Sequence, residues 1–103
     1  MPQYLYGMRT YHINDFKGSA ESPVILRDSP QADLCEPPHM HDYIEIAIIR
    51  QGRGIHRIYS KGGQILENAI IKGDVFTILP EEIHSYDKRL MFRVYNLCIK
   101  SDF

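Results

Sequence analysis

Apolar residues in this chain recur with a period of two or in short unbroken runs, and no helix-period stripe of useful length is present. Runs rich in Ile, Val, Tyr and Phe alternate with Gly, Pro, Asn and Asp clusters. This pattern predicts strands over Val24–Arg27, Asp33–Cys35, Tyr43–Gln51, Ile55–Tyr59, Ala69–Ile71, Val75–Leu79 and Met91–Lys100. Loops are expected at Gly52-Arg53-Gly54, Lys61-Gly62-Gly63, Lys72-Gly73-Asp74 and Pro80-Glu81-Glu82, with Asp74 shaping its turn. The Gly-x-Gly at 52–54 reads as a tight turn, since glycine supplies positive φ, which makes residues 43–59 one long hairpin. The tyrosine-rich residues before Val24 read as an arm or edge segment, and Pro37-Pro38 delivers the chain extended into the next strand.

Alternation along a strand puts His39, His41, Tyr43 and Glu45 on one face, so two imidazoles and a carboxylate point into one space. The surroundings are apolar, so a carboxylate there needs a partner, a metal or a ligand. His84, after the run Gly73 to Pro80, is placed to join it. Ile44, Ile46 and Ile48 face the other way and require cover. An exposed isoleucine row is an aggregation hazard, so either a packed second layer of the same chain or the partner in a homodimer is expected to supply that cover.

At 103 residues there is room for one core and one small site. Lys and Arg number 12 against 13 acidic residues, a formal charge of -1, which removes the basic field that would attract a phosphate backbone. Cys35 and Cys98 form no CxxC pair and read as free thiols in a reducing compartment. No signal-peptide pattern and no window of membrane-spanning length is visible, so a soluble cytoplasmic protein is expected. No Ser-His-Asp order, phosphate loop or nucleotide fingerprint is present.

The spacing His39, His41, Glu45, Gly52 matches the first motif of the cupins, G-x5-H-x-H-x3,4-E-x6-G, without its leading glycine. Gly73, Asp74, Pro80 and His84 resemble the second motif. There the usual glycine between proline and histidine is missing from Pro80-Glu81-Glu82-Ile83-His84, and Lys88 replaces a late asparagine. Within cupins, the stretches from Pro38 to Ile46, Gly52 to Gly54 and Leu79 to Tyr86 are most similar to the N-terminal sensor domains of AraC-type transcription regulators, the rhamnose regulators among them. The resemblance implies an all-β, double-stranded β-helix, or jelly-roll barrel, over residues 23–103, with residues 1–22 as an N-terminal arm. It further implies a small-molecule effector inside the barrel, with a sugar or related metabolite as the expected class. DNA would be read only by a C-terminal helix-turn-helix domain absent from this chain.

His39, His41, Glu45 and His84 together suit Zn, Ni, Fe or Mn, and equally suit a hydrogen-bonding network or direct recognition of sugar hydroxyls. Tyr43, Tyr59 and Tyr86 offer aromatic faces with polar tips, and Arg57 joins them as an expected ligand-binding residue. His12 and His56 read as surface or edge histidines. A sensing domain without catalytic residues is the leading expectation, and a metal-dependent cupin enzyme, an isomerase or oxygenase, is the alternative.

Overall fold

The computed structural model describes residues 8–29 and 32–103; residues 1–7 of the expected arm lie outside the described residues. The order is β1 (Arg9–Tyr11), a 3₁₀ turn (Ile13–Asp15), β2 (Val24–Asp28), β3 (Ala32–His41), β4 (Tyr43–Tyr59), β5 (Ile65–Ile71), β6 (Val75–Ile78) and β7 (Ile83–Lys100). The all-β expectation holds, and among the described residues no helix is long and apolar enough to cross a membrane. Cys35 and Cys98 are free thiols, the first exposed and the second buried.

Two long antiparallel strands, β4 and β7, run through the whole molecule, paired from Tyr43↔Lys100 to Tyr59↔Ile83. Each takes part in two layers. Their outer halves form one layer with β2, which pairs with β7, and β6, which pairs with β4. Their inner halves form the other, in the order β1-β3-β7-β4-β5. The result is a jelly-roll sandwich whose ladder stays open at its edges, not a closed barrel. Between the layers sit Ala47, Ile49, Ile70, Tyr86, Phe92 and Val94, with a second cluster of Ile13, Tyr43 and Cys98 beneath the 3₁₀ turn. Each large apolar side chain buried this way contributes about 1.5–3 kcal/mol.

The expected hairpin at Gly52-Arg53-Gly54 is absent, because β4 continues straight through it. The glycines instead serve a bend. Register shifts fall between Ile49 and Ile55, and on the opposing strand Lys88 and Met91 both adopt a φ of 51°. Such bulges fold a long two-stranded ribbon so that it can enter both layers. Gly52 has a φ of 80°, and a Cβ there would lie 2.3 Å from the Leu90 carbonyl oxygen and 2.5 Å from that of Met91. The last strand also begins earlier than the expected Met91, at Ile83, and its first half contains the polar run Asp87-Lys88-Arg89 at the bend. In β3, prolines 37 and 38 cannot donate to the ladder, and the pairing with β7 slips between Glu36 and His39 before resuming at His39↔His84.

The Pro80–Ile83 turn explains how the second motif tolerates its missing glycine. Glu81 takes up a φ of 65°, and its N–H donates to the His41 carbonyl at 2.8 Å. Glu82 Oε1 accepts from the Leu79 N–H at 3.1 Å.

Gly52→Ala should lower stability by about 1–3 kcal/mol or more, read as a fall in the urea midpoint. A variant with the wild-type midpoint would show that the bend needs neither the positive φ nor the close approach.

Candidate functional site

The two layers enclose a cavity of about 270 Å³, near the low end of the roughly 300–1,000 Å³ typical of small-molecule sites. Of the expected residues, His39, His41, Tyr43, Glu45, His84 and Tyr86 line it. They arrive from three strands: β3 carries the first two, β4 the next two, and β7 the last two.

Arg57 and Tyr59 do not join the lining, and His56 is not a surface residue. In β4 the buried positions are 43, 45, 47 and 49 before the bend, but 54 and 56 after it. Bulges at 49–55 exchange the two faces, so a parity count carried across them assigns every later side chain to the wrong side. Arg57 therefore lies away from the cavity, its Nε donating to Glu67 Oε2 at 2.6 Å and its Nη1 to Asp87 Oδ2 at 2.9 Å. Tyr59 Oη shares a hydrogen bond with Ser85 Oγ at 2.9 Å. His56, at 3% exposure, sits directly behind His84. His12 is half exposed, as expected, and pairs with Asp42 at 3.0 Å.

The three cavity histidines occupy different chemical states, set by their partners. His39 Nδ1 lies 2.9 Å from the Pro37 carbonyl and Nε2 lies 3.0 Å from Glu36 Oε1. Both partners only accept, so the geometry favours donation from both ring nitrogens, which is the imidazolium form. Burial works against that charge, but the hydrogen bond and charge of Glu36, with the Pro37 carbonyl, raise the His39 pKa above its usual value. Glu36 moves the other way: burial pushes its pKa up, and His39, Arg89 and Arg27 outweigh this to hold it low.

His41 Nδ1 donates to the Tyr43 carbonyl at 2.7 Å, and its ring stacks on Tyr43 with centroids 4.3 Å apart. Burial lowers its pKa to about 4, so the ring is neutral and Nε2 presents a lone pair. That nitrogen is buried without a hydrogen-bond partner among the described residues, 3.9 Å from Glu45 Oε2. His84 is fully buried. Its Nδ1 meets His56 Nε2 at 3.0 Å, while its Nε2 also lacks a partner among them. Burial, reinforced by the charge of His39, drives its pKa down. Burial also raises the Glu45 carboxyl to about 7, Glu36 adding to the effect and His39 and Arg27 opposing it.

Donor atoms of His41, Glu45 and His84 lie within 4.8 Å of one another. Two orphaned imidazole nitrogens and a carboxyl group are a donor set that fits a divalent transition metal. His39 has no lone pair to offer in this arrangement, so the expected four-residue set contracts to three.

The lining also includes Tyr11, Arg27, Ser29, Glu36, Arg89, Phe92, Val94 and Asn96. Tyr86 Oη and Asn96 Oδ1 are buried without partners. Alternation in the predicted strand 91–100 already groups 92, 94 and 96 on one face, while Arg27 comes from β2 and Ser29 from just beyond its end. Tyr11 reaches the site through the parallel pairing of β1 with β3, where it lies opposite His41, for which the sequence carries no signal.

The AraC-like ligand binding domain family matches residues 23–97. The HTH-type transcriptional activators RhaS of Escherichia coli O81 (strain ED1a) and Shigella sonnei (strain Ss046) are each 30% identical to this chain over 96 residues. Those matches cover 89% of the chain and 29% of each relative's length. Among solved structures, an oxalate decarboxylase of Lactobacillus farciminis in complex with formate has a TM-score of 0.67 at 17% identity, covering 82% of this chain and 26% of that one. An oxalate decarboxylase of Bacillus subtilis with Mn(II) centres has a TM-score of 0.65 at 16% identity, covering 82% and 23%. A cupin protein of Bacteroides fragilis has a TM-score of 0.54 at 20% identity, covering 76% and 64%. These likenesses establish the cupin fold.

Two predictions follow from the site geometry. After loading with Zn(II) and desalting, elemental analysis should find metal lost from His41→Ala and His84→Ala but retained by His39→Ala; loss from all three alike would contradict the imidazolium assignment of His39. In metal-free protein, Glu45 keeps its proton in the fold between the ordinary value of 4.5 and about 7, while the unfolded chain has released it. Stability therefore declines through that window as pH rises. Glu45→Gln should gain on wild type across it and hold a constant advantage above; parallel stability-versus-pH curves would refute the raised carboxyl.

Proposed function

Because this chain belongs to the AraC-like ligand-binding domain family, we propose that its cavity binds a polyhydroxylated small molecule, a sugar or a related metabolite, as the effector of a transcription regulator. One observation carries this reading. Among the described residues, His41 Nε2, His84 Nε2, Tyr86 Oη and Asn96 Oδ1 are buried polar atoms without partners, and all belong to residues lining one cavity. An unsatisfied buried polar atom costs roughly 1–3 kcal/mol, and a ligand rich in hydroxyls removes several such costs at once. Phe92, Val94 and the face of Tyr86 supply the apolar surface on which a sugar ring packs.

The chain spans 29% of the length of the RhaS relatives. In the proposed whole protein a separate helix-turn-helix domain reads DNA in the cytoplasm, and this domain reports effector occupancy to it. The outer sheet face supports a homodimer as part of that device. In register across β2, β7 and β4 lie Leu26, Leu97 and Ile46, flanked by Val24, Ile99 and Ile44. Leu26 is 60% exposed. An effector shifts such an assembly only by its difference in affinity between two arrangements, and a few kcal/mol suffices.

A metal-dependent cupin enzyme is the second reading, favoured by the His41, Glu45 and His84 cluster. Those three residues would hold the ion, which when bound would act as a Lewis acid toward a substrate oxygen.

A thermal-shift screen of neutral monosaccharides and their sugar acids should find a stabilising ligand, whose affinity falls about tenfold in Asn96→Ala and in Tyr86→Phe, as expected for about 1–1.5 kcal/mol per lost hydrogen bond. Stabilisation by Mn(II) or Zn(II) alone, with turnover of a bound acid, would favour the enzyme. A cavity indifferent to both sets of compounds would sink the sensing proposal.

A further inference from the structure

His56 and His84 form a buried pair that the cupin motifs do not contain. His56 is 3% exposed, His84 is fully buried, and Nε2 of the first lies 3.0 Å from Nδ1 of the second. Phe76 and Tyr86 pack against the His56 ring, with centroids 4.6 and 5.1 Å away, and hold it in place. At that contact one ring nitrogen donates and the other accepts, so the proton on His84 Nδ1 is tied to the state of His56 Nε2. If the shared proton belongs to His84 Nδ1, then His84 Nε2 offers a lone pair to the cavity. If it belongs to His56 Nε2, then His84 Nε2 carries a proton that finds no acceptor among the described residues.

The other flank of His56 favours the first arrangement. His56 also lines a second crevice, of about 260 Å³, together with Asn68, Asp74 and Thr77. The crevice includes the Asp74 carboxylate, one oxygen of which accepts from the Ile71 N–H at 2.8 Å, and a negative group on that side suits an N–H on His56 Nδ1, which would leave His56 Nε2 as the acceptor for His84. We propose that His56 is a positioning residue that holds His84 as the Nδ1–H tautomer, so that His84 and His41 present matched Nε2 lone pairs to the cavity beside Glu45. A corner built this way accepts a divalent cation, or a hydroxyl hydrogen donated by the effector, and discriminates against a ligand that offers only acceptors at that point. The consequence for recognition rests on the cavity being the binding site; the tautomer itself does not.

Long-range proton–nitrogen correlation on the ¹⁵N-labelled chain distinguishes a protonated ring nitrogen from a bare one. Wild type at neutral pH should show His84 protonated at Nδ1 and bare at Nε2. His56→Phe should move the proton to Nε2, the position an unconstrained histidine prefers, and His56→Gln, whose side-chain oxygen accepts from Nδ1, should restore the wild-type pattern. A proton on His84 Nε2 in wild type would overturn the proposal, as would a folded His56→Phe with an unchanged His84 pattern. Should His56→Phe not fold, the wild-type and His56→Gln spectra decide. Failure of every sugar in the screen would leave these spectra as they are, so the two proposals fail separately.

Discussion

The antiparallel ladder between β4 and β7 is the constraint on which the rest of this domain depends. It sets Glu45 opposite Cys98, His56 opposite Tyr86 and Ile58 opposite His84, which brings residues from the two ends of the chain's core region to one cavity. A straight ribbon of that length would be a single flat sheet with nothing between its faces. The bulges at its middle turn it into two layers, and Gly52 makes the turn possible because any larger residue would meet the Leu90 and Met91 carbonyls. The cavity, the core around Phe92 and the inward aim of His56 all descend from that bend.

Burying polar side chains in so small a protein is costly, and this domain concentrates the cost in one place. Where a partner is built in, the group is settled: His39 with Glu36 and the Pro37 carbonyl, His41 Nδ1 with the Tyr43 carbonyl. Four atoms left without a partner among the described residues, on His41, His84, Tyr86 and Asn96, belong to residues lining the cavity. This division separates residues that shape the wall from residues that read what enters, and it operates within single side chains. One nitrogen of His41 is structural and the other is available.

The same logic explains why three similar histidines are not equivalent. Residue type and strand parity treat His39 and His41 alike, since both lie on one face of β3. Their neighbours do not: Glu36 reaches His39 because the strand slips at Pro37-Pro38, and among the described residues no carboxylate comes within hydrogen-bonding distance of His41. A motif that names four ligands by spacing therefore describes a potential, and the local hydrogen bonds determine how many remain.

Legible in the order of residues alone were the all-β class, the face shared by His39, His41, Tyr43 and Glu45, the reach of His84 and Tyr86 into the same space, and the outward turn of Ile44, Ile46 and Ile48. Each follows from alternation along short extended stretches, which survives the break between β3 and β4 at Asp42, or from the spacing of a motif, and both are local properties. Tertiary structure alone decided what lies beyond an irregularity or across a pairing: the continuation of β4 through Gly52, the exchange of faces that buried His56 and turned Arg57 and Tyr59 away, the approach of Tyr11 and the claim of Glu36 on His39. A bulge shifts the two-residue period by one, and nothing in the composition of residues 50–54 distinguishes a glycine that ends a strand from one that bends it.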